Sequence, residues 1–566
     1  MPDGGPGQKF DNPVTVVIDG REIVAEQGHM LLQVALDNGI EIPHYCYHPK
    51  LTIDGSCRMC QVKVEGPPKL AIACNTPVTD GMVVDTTTDE VAKARRGVME
   101  LLLINHPLDC PICDQAGECY LQDYSYGYGR DDARTSSPRR KGLKRHPIGP
   151  RVVFDQERCI LCRRCVRFTH EISKTDELRV FGIGDTSHIG TVPGAPLDND
   201  YSVNTADICP VGALLSADFH HKRRVWFLEE TQSVCPSCSK GCNVKLGMYK
   251  NEIERLVPRR NDEVNETWMC DHGRLNYAFA QDETRVRHSV VREAGSANGS
   301  SPGVPTDEAL DAASARIRAV VDEHGASAVG VLGSGALTNE ELYQLAVLAR
   351  DAIGTPNLDV LVPMGEADGF LIQAEKTANA RGAREMGVVP GEGGKDAAGM
   401  LAAAASGELK ILYVVGSGDV PRIADEEAVS AALEGVETLI VQDSNASAIT
   451  GRAAIVLPGQ VWAEKDGTFT NHEGRVQRVR RAMAPGEGSY CDGGVFTRLA
   501  ARLTGSDPAV ARFDARATLA EIAEKIRGYE GMSFERLGSL GLRLGEAAAP
   551  PPAAAETEEG SAPAEA

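Results

Sequence analysis

Alternating apolar and polar positions near the start of the chain predict a β-hairpin followed by a helix. Residues 14–18 and 21–24 alternate on either side of Asp19-Gly20, a pair that favours a tight hairpin turn. A helix is expected over about 30–38, and Gly39 would end it in a left-handed conformation. This stretch therefore predicts a small α+β domain.

The pattern that follows predicts two more elements and then a linker. A strand is expected over 61–65, and an apolar helix over about 89–104. The stretch 129–150 is polar and basic and contains several prolines, which is typical of a solvated surface segment.

From about residue 306 the pattern changes to Ala-rich helices that alternate with short apolar runs. Thr338 and Glu341 complete a capping box that opens one of these helices. The apolar runs have the length of fully buried strands, and they lie at 329–332, 412–415, 439–441 and 455–457. Strands that alternate with helices predict an open, mostly parallel α/β sheet. From Glu546 onward Ala, Pro, Glu and Ser dominate, which predicts a disordered tail.

Composition and charge exclude several functions. The 566 residues are 42% hydrophobic and 25% charged, as in globular proteins, and no apolar run approaches the eighteen or so residues of a membrane span. The start has neither a secretory nor a transit-peptide pattern, so a reducing cytoplasmic location is expected. A net charge of −21 argues against nucleic acid, whose phosphates would be repelled.

The sixteen cysteines are distributed unevenly along the chain. Fifteen lie between Cys46 and Cys270, and only Cys491 lies outside. In a reducing compartment, clustered cysteines indicate metal or redox sites before they indicate disulfides. With one histidine, the fifteen cysteines sort into four consecutive sets.

Set one has the spacing C-x10-C-x2-C-x13-C and consists of Cys46, Cys57, Cys60 and Cys74. One leading cysteine, a close pair and one distant cysteine are typical of a two-iron cluster, in which each iron needs two thiolates. The hairpin and helix before it resemble the β-grasp fold of plant-type ferredoxins, although the first spacing is longer than usual there. A zinc site is the alternative, but zinc prefers two C-x2-C pairs.

Set two has the spacing H-x3-C-x2-C-x5-C and consists of His106, Cys110, Cys113 and Cys119. Three thiolates this close together suit three corners of a four-iron cubane, and the histidine is placed to reach the fourth. A histidine near cysteines is often only a neighbouring group. The absence of a spare cysteine nearby favours it as a ligand.

Set three joins a C-x2-C-x2-C run to a remote Cys-Pro and consists of Cys159, Cys162, Cys165 and Cys209. This is the most specific four-iron motif in the chain. Two-cluster ferredoxins carry four further cysteines, at positions occupied here by Thr169, Asn199, Ser202 and Thr205. A second cubane is therefore expected to have been lost. Nearby arginines either offset cluster charge or form an exposed basic face.

Set four has the spacing C-x2-C-x3-C-x27-C and consists of Cys235, Cys238, Cys242 and Cys270. This pattern alone fits zinc as well as a cubane.

Taken in order, the four sets resemble those of the large iron–sulfur subunit of NADH:quinone oxidoreductase, respiratory complex I. The resemblance runs from about residue 14 to about 485, and three phrases support it: DCPICD at 109–114, ICPVGAL at 208–214 and DGTFTNHEGRVQ at 466–477. It implies one 2Fe-2S and three 4Fe-4S clusters and no separate substrate site. Electrons would arrive at set one from the flavin/NADH-binding subunit, pass to set three and set two, and leave toward quinone-side iron–sulfur subunits. Set four would lie off this path.

The same resemblance implies a peripheral location, on the cytoplasmic face of the inner membrane, with proton translocation carried out by other subunits. It also implies a multidomain α+β and α/β fold: a 2Fe-2S ferredoxin-like β-grasp domain at 10–88, a His/Cys-ligated 4Fe-4S domain at 89–128, the linker at 129–150, a ferredoxin-type 4Fe-4S domain at 151–228, a molybdopterin-oxidoreductase-type 4Fe-4S domain at 229–285, a molybdopterin-oxidoreductase-like α/β domain at 306–540 and the tail at 546–566.

The α/β domain is expected to be inactive and shortened. Active relatives have a lysine two residues after the last cysteine of set four, where this chain has His272. Cys491 has no recognisable metal-ligand setting, and no molybdenum is expected. Two Gly-Ser-Gly turns, at 333–335 and 416–418, are interpreted as tight strand-to-helix turns in preference to phosphate sites.

Two other functions stay open. The electron-input subunit of an NAD-linked hydrogenase or formate dehydrogenase would share sets one and two, but such proteins commonly retain both ferredoxin cubanes. A multi-zinc interaction protein would have no redox role and no visible colour.

Overall fold

The computed structural model describes residues 10–136, 138–292, 302–486 and 490–548. They form two compact units that divide between Leu228 and Glu229, and each unit has its own hydrophobic cores. Within these ranges, no helix is both long and apolar enough to cross a membrane.

The first unit combines small sheets with short helices. Its strands are β1 (Pro13–Ile18), β2 (Arg21–Glu26), β3 (Gln61–Val64), β4 (Ala71–Ile72), β5 (Met82–Asp85), β6 (His146–Pro147), β7 (Val152–Phe154), β8 (Leu178–Phe181), β9 (His188–Thr191) and β10 (Leu214–Ser216). Its helices are α1 (Leu31–Asp37), α2 (Asp89–Asn105), α3 (Tyr120–Tyr128), α4 (Arg164–Glu171) and α5 (Asn204–Asp207).

The N-terminal hairpin forms as the sequence predicts. Strands β1 and β2 pair antiparallel with Ile18 opposite Arg21, and both turn residues are left-handed, with φ of 49° at Asp19 and 79° at Gly20. Parallel pairing of β1 with β5 completes a mixed sheet in the order β2-β1-β5-β3-β4. Helix α1 shares a core with this sheet and ends before Gly39, which has φ of 72°.

The structure differs from the predicted linker at that segment's C-terminal end. Strand β6 pairs antiparallel with β7, with His146 opposite Phe154. Lys144 contacts Asp109 at 2.5 Å and Glu157 at 2.9 Å. Basic side chains that look solvated in sequence therefore have acidic partners beside sets two and three.

The second unit contains most of the regular structure. Its strands are β11 (Glu229–Val234), β12 (Asn243–Tyr249), β13 (Glu252–Pro258), β14 (Val290–Val291), β15 (Val329–Ser334), β16 (Leu358–Leu361), β17 (Ile411–Val415), β18 (Thr438–Asp443), β19 (Ile455–Pro458), β20 (Gly467–Thr470), β21 (Arg475–Val479) and β22 (Leu542–Arg543). Its helices are α6 (Asp271–Leu275), α7 (Thr306–His324), α8 (Asn339–Val347), α9 (Ala380–Glu385), α10 (Ala397–Ala405), α11 (Glu426–Gly435), α12 (Ala448–Arg452), α13 (Asp492–Thr504), α14 (Ala515–Lys525) and α15 (Phe534–Leu537).

The main sheet of this unit is mostly parallel, as predicted, in the order β14-β19-β18-β17-β15-β16. Only the edge pair β14 and β19 is antiparallel. Strand β17 is buried on both faces: Ile411, Tyr413 and Val415 enter one core, whereas Leu412 and Val414 enter the other. Helices on both faces of a parallel sheet explain why these strands read as continuous apolar runs.

The capping box at the start of α8 is confirmed. Thr338 Oγ1 accepts a hydrogen bond from the Glu341 backbone N–H at 3.3 Å, and Glu341 Oε2 accepts one from the Thr338 N–H at 2.9 Å. These two bonds satisfy donors that the first turn of a helix leaves free.

The prediction of a disordered tail is wrong for its first three residues. Residues 546–548 form a short 3-10 turn, and Ala547 is 2% exposed in the main core of the second unit. A small residue can be buried without apolar bulk around it in sequence. The rest of the predicted tail, 549–566, lies outside the described residues.

Candidate iron–sulfur sites

The structure brings the four cysteines of set one together. Cys46, Cys60 and Cys74 are each 1% exposed, and Cys57 is partly buried. The sulfurs hydrogen-bond one another, which lowers the pKa of Cys46 and Cys60 and raises that of Cys57 and Cys74. Four converging cysteine sulfurs fit a two-iron cluster with two thiolates per iron.

All four residues of set two line one cavity of about 570 Å³. His106 directly follows α2, and Cys119 caps the N-terminus of α3. Burial lowers the pKa of His106 to about 4, so its imidazole is neutral, which is the form that binds a metal. Burial also raises the pKa of Cys119 to about 11.

A glycine leaves room for one sulfur of set two. A Cβ built on Gly212 would lie 2.2 Å from the Sγ of Cys113, a separation that atoms cannot adopt. The glycine belongs to the 208–214 phrase that also contains Cys209 of set three. Because glycine has no side chain, position 212 leaves the space that the Cys113 sulfur occupies.

The four cysteines of set three line one small cavity. Burial raises the pKa of all four thiols, to about 11 at Cys162. Two residues between the cysteines are left-handed, Leu161 with φ of 56° and Arg163 with φ of 58°. Such backbone costs roughly 1–2 kcal/mol for each non-glycine residue, and it turns the Leu161 N–H toward Cys159 Sγ, 3.4 Å away.

Small hydroxyl side chains occupy three of the four positions where a second cubane would have its ligands. Thr169, Ser202 and Thr205 are fully buried. The hydroxyl of Thr205 donates to the Ser202 carbonyl at 2.7 Å, and that of Thr169 donates to the Val166 carbonyl at 3.1 Å. The hydroxyls of Thr169 and Thr205 are therefore engaged in local hydrogen bonds.

The cysteines of set four lie in the second unit and line a cavity of about 410 Å³, together with His272. A Cβ on Gly273 would lie 3.0 Å from Cys235 Sγ and 3.3 Å from Cys270 Sγ, so two sulfurs flank this glycine. Burial raises the pKa of Cys235 to about 12 and that of Cys270 to about 11.

The 466–477 phrase supports the loop of set four, a role that its sequence does not reveal. Gln477 Nε2 donates to the Gly241 carbonyl at 3.0 Å, and Asn471 Nδ2 donates to the Lys240 carbonyl at 3.2 Å. Both amides are buried. They fix the backbone between Cys238 and Cys242.

Sequence reasoning missed a buried arginine beside set two. Arg158 is 2% exposed and forms ion pairs with Asp155 at 3.3 Å and Asp109 at 3.2 Å. Its guanidinium also donates to the Gly212 carbonyl at 3.4 Å. Its position directly before Cys159 was the available signal, but sequence alone does not reveal that an arginine is buried.

Two arginines of α4 connect set three to set one. Arg167 donates to the carbonyl of Cys46 and, at 3.5 Å, to that of Cys162. Arg164 is buried and donates to the carbonyl of Tyr47 and, at 3.2 Å, to that of Ile208. These two arginines are therefore structural contacts, whereas Arg163, directly before the helix, is exposed.

Five family models match the chain in order. They are the 2Fe-2S iron-sulfur cluster binding domain at 11–89, the NADH-ubiquinone oxidoreductase-G iron-sulfur binding region at 95–134, the ferredoxin-like domain of NADH-quinone oxidoreductase subunit 3 at 149–215, the molybdopterin oxidoreductase Fe4S4 domain at 228–282 and molybdopterin oxidoreductase at 357–489. With the sheets described above, they define a multidomain iron–sulfur protein.

Curated relatives are named as the G-type subunit of NADH-quinone oxidoreductase. The protein of Streptomyces coelicolor is 40% identical over 348 residues, which is 61% of this chain and 40% of the relative. That of Rickettsia bellii is 39% identical over 321 residues, 57% of this chain and 46% of the relative. The resemblance to the large iron–sulfur subunit of complex I is therefore confirmed, although the matched region spans less than half the length of these relatives.

Two solved structures share a distant likeness with the chain. A chain of an NAD⁺-reducing [NiFe]-hydrogenase is 28% identical with a TM-score of 0.34, covering 38% of this chain and 91% of the other. Acetylene hydratase from Pelobacter acetylenicus is 11% identical with a TM-score of 0.42, covering 55% and 74%. Neither TM-score is high enough to support a further argument.

Proposed function

We propose that this chain is an electron-transfer subunit of an NADH:quinone oxidoreductase, with no substrate site of its own. The names of its relatives and the order of the matched iron–sulfur domains support this function. Partner subunits would supply NADH and flavin chemistry on one side and quinone-side clusters on the other. Other subunits would translocate protons, and this chain would lie in the peripheral arm on the cytoplasmic face of the membrane.

The ligands we propose are the four sets, with set one holding a 2Fe-2S cluster and the other three each holding a 4Fe-4S cluster. When bound, such clusters accept and release single electrons at potentials that ligand type, burial and hydrogen bonding adjust. The chain's own contribution is to space the sets and fix their surroundings. Buried thiols with raised pKa values fit this role because they are stable as thiolates only beside a cation.

The single observation that carries the proposal is the contact of set three with set two through four residues of backbone. Cys209 belongs to set three, and the next carbonyl, that of Pro210, accepts from the Tyr120 N–H at 3.2 Å and lies 4.0 Å from Cys119 Sγ. Two residues later, Gly212 adjoins Cys113. A short stretch of backbone from Cys209, followed by one non-covalent contact, thus connects the ligands of both sets.

Set three also contacts set one, through the two arginines of α4. Arg167 contacts the carbonyls of Cys46 and Cys162, one from each set. Cysteines of sets one, two and three share one hydrophobic core. These contacts support the order one, three, two that the resemblance implies.

We propose that the α/β domain of the second unit carries no molybdenum and is an inactive, shortened form. His272 lines the set-four cavity where active relatives have a lysine. Set four would then hold a cluster off the main path.

The cluster inventory predicts a brown protein when the full chain is prepared without oxygen. Filling all four sets requires about 14 iron atoms and as many acid-labile sulfides per chain. Iron and sulfide analysis, with EPR of the dithionite-reduced protein, measures this directly. Stoichiometric zinc without sulfide in a folded, colourless chain would instead identify a multi-zinc protein.

Changing His106 to Cys is expected to keep the set-two cluster and lower its reduction potential. Thiolate adds negative charge where neutral imidazole had none, which stabilises the oxidised cluster. Redox titration followed by EPR measures the potential, and iron content controls for occupancy. His44→Cys is the matched control, because its half-buried ring instead contacts the Ile42 carbonyl at 2.8 Å. An unchanged or higher potential in His106→Cys would contradict ligation by His106.

A further inference from the structure

Three potential metal ligands converge outside the four cysteine sets, in the first unit. They are Asp114, His220 and His221, and one ligand atom from each lies within 4.8 Å of the other two. Asp114 Oδ2 is 3.8 Å from His220 Nε2 and 3.9 Å from His221 Nε2. Two imidazoles and one carboxylate form a donor set that first-row divalent cations bind.

The backbone is bent to bring both rings to the same side. His221 is left-handed, with φ of 61°, a conformation that costs roughly 1–2 kcal/mol in a residue with a side chain. Its N–H donates to Asp114 Oδ2 at 2.8 Å. The two imidazoles stack with centroids 4.0 Å apart and planes at 29°. Adjacent side chains therefore face one carboxylate.

The two ring nitrogens lie too far from the Asp114 carboxylate to hydrogen-bond to it, although the His221 backbone N–H does so. A hydrogen bond needs about 2.7–3.2 Å between nitrogen and oxygen, which both ring-to-carboxylate separations exceed. His220 Nε2 is buried and has no hydrogen-bond partner, and Asp114 is 6% exposed. With metal–ligand bonds of about 2.0–2.2 Å, donor atoms of a tetrahedral site lie roughly 3.4 Å apart. Small side-chain rotations would close the remaining gap.

We propose that Asp114, His220 and His221 bind one divalent cation of the zinc type, with water completing its coordination. His221 is 44% exposed at its side chain, which gives the ion access from solvent. Arg145 and Arg158 are the nearby cations and oppose binding, whereas the Asp114 carboxylate favours it. The bound ion would join the turn at 219–222 to the loop of Cys113. This site is independent of the electron-transfer function proposed above.

The test uses the full chain, prepared without oxygen and with its clusters loaded. The protein is dialysed against a mild chelator and then against Zn²⁺, and metals are counted per chain by mass spectrometry. One zinc is expected in the wild type, and binding at least 100-fold weaker is expected in His220→Ala and His221→Ala. His170→Ala is the matched control, because that exposed imidazole in the same unit pairs with Asp176 at 2.9 Å instead. Iron counts must agree among all variants, since empty cysteine sets would bind zinc themselves.

A second measurement needs no variant. In the wild type, zinc should protect His220 and His221, but not His170, from acylation by diethyl pyrocarbonate, as read by peptide mass spectrometry. Equal zinc binding in all variants, or no zinc and no protection in the wild type, would overturn the site. The iron count reports the electron-transfer function separately, so failure of one proposal is distinguishable from failure of the other.

Discussion

Replacing Gly212 by alanine is expected to abolish the cluster at set two and leave the others in place. The new methyl would lie 2.2 Å from Cys113 Sγ and 3.1 Å from Gln115 Cβ, so the sulfur must leave its position. Set two has only four ligands, so displacement of one of them is expected to release the cluster or distort its geometry. Iron should fall from about 14 to about 10 atoms per chain, and the EPR signal of set two should disappear.

The matched control for this variant is Gly127→Ala in α3, the helix that Cys119 caps. A Cβ there meets nothing within 4 Å, and alanine inside a helix is about 0.5–1 kcal/mol more favourable than glycine. This control should keep its full iron content. If Gly212→Ala also retained about 14 iron atoms and the set-two signal, then Cys113 would not be held where the structure places it.

The closely spaced cysteines of each set could be grouped from the sequence because their spacing is local, whereas the remote Cys74, Cys209 and Cys270 were assigned by the overall motif. A C-x2-C-x2-C run brings three sulfurs together by backbone geometry alone, and left-handed residues such as Leu161 and Arg163 complete the turn. The buried strands of the second unit were equally visible, since strands covered on both faces are continuously apolar.

Contacts between distant segments could not be predicted in this way. Gly212 and Cys113 lie far apart in sequence, and nothing around either residue indicates that they touch. The acidic partners of the exposed Lys144 were hidden for the same reason, because Asp109 and Glu157 come from two other loops. The composition of a segment indicates whether it can be exposed to solvent, but its contacts with distant residues determine its position.

The proposed metal ligands Asp114, His220 and His221 show a related limit of prediction from sequence. Two adjacent histidines ordinarily point in different directions, so the sequence gives no reason to pair them. Only the left-handed backbone of His221 brings the rings together, and that conformation is not encoded by a glycine or a turn motif.

Replacing Arg158 by methionine is expected to destabilise the first unit and lower the potential of set two. The carboxylate of Asp155, 2% exposed, would lose its closer cation and keep Lys144 at 3.8 Å, so the loss is expected to stay below the roughly 3–5 kcal/mol of a fully unpaired buried charge. The guanidinium also lowers the pKa of Cys113 against the larger, opposing effect of burial. A positive charge that favours thiolate also favours the reduced, more negative cluster. Its loss should lower the potential on the order of tens of millivolts, the electrostatic scale at an effective dielectric constant of about 20.

Two further variants separate the charge of Arg158 from its packing. Arg158→Lys keeps the charge but not the fork that reaches both Asp155 and the Gly212 carbonyl, so its potential should stay near the wild-type value while its stability falls. Arg151→Met removes an exposed ion pair with Asp198, which contributes at most about 1 kcal/mol, and should change neither quantity. Urea unfolding without oxygen, followed by circular dichroism, measures stability, and redox titration measures the potential. If Arg158→Met matched the wild type in both measurements, the charge beside Cys113 would have no influence on set two, and burial with ligand type alone would determine its potential.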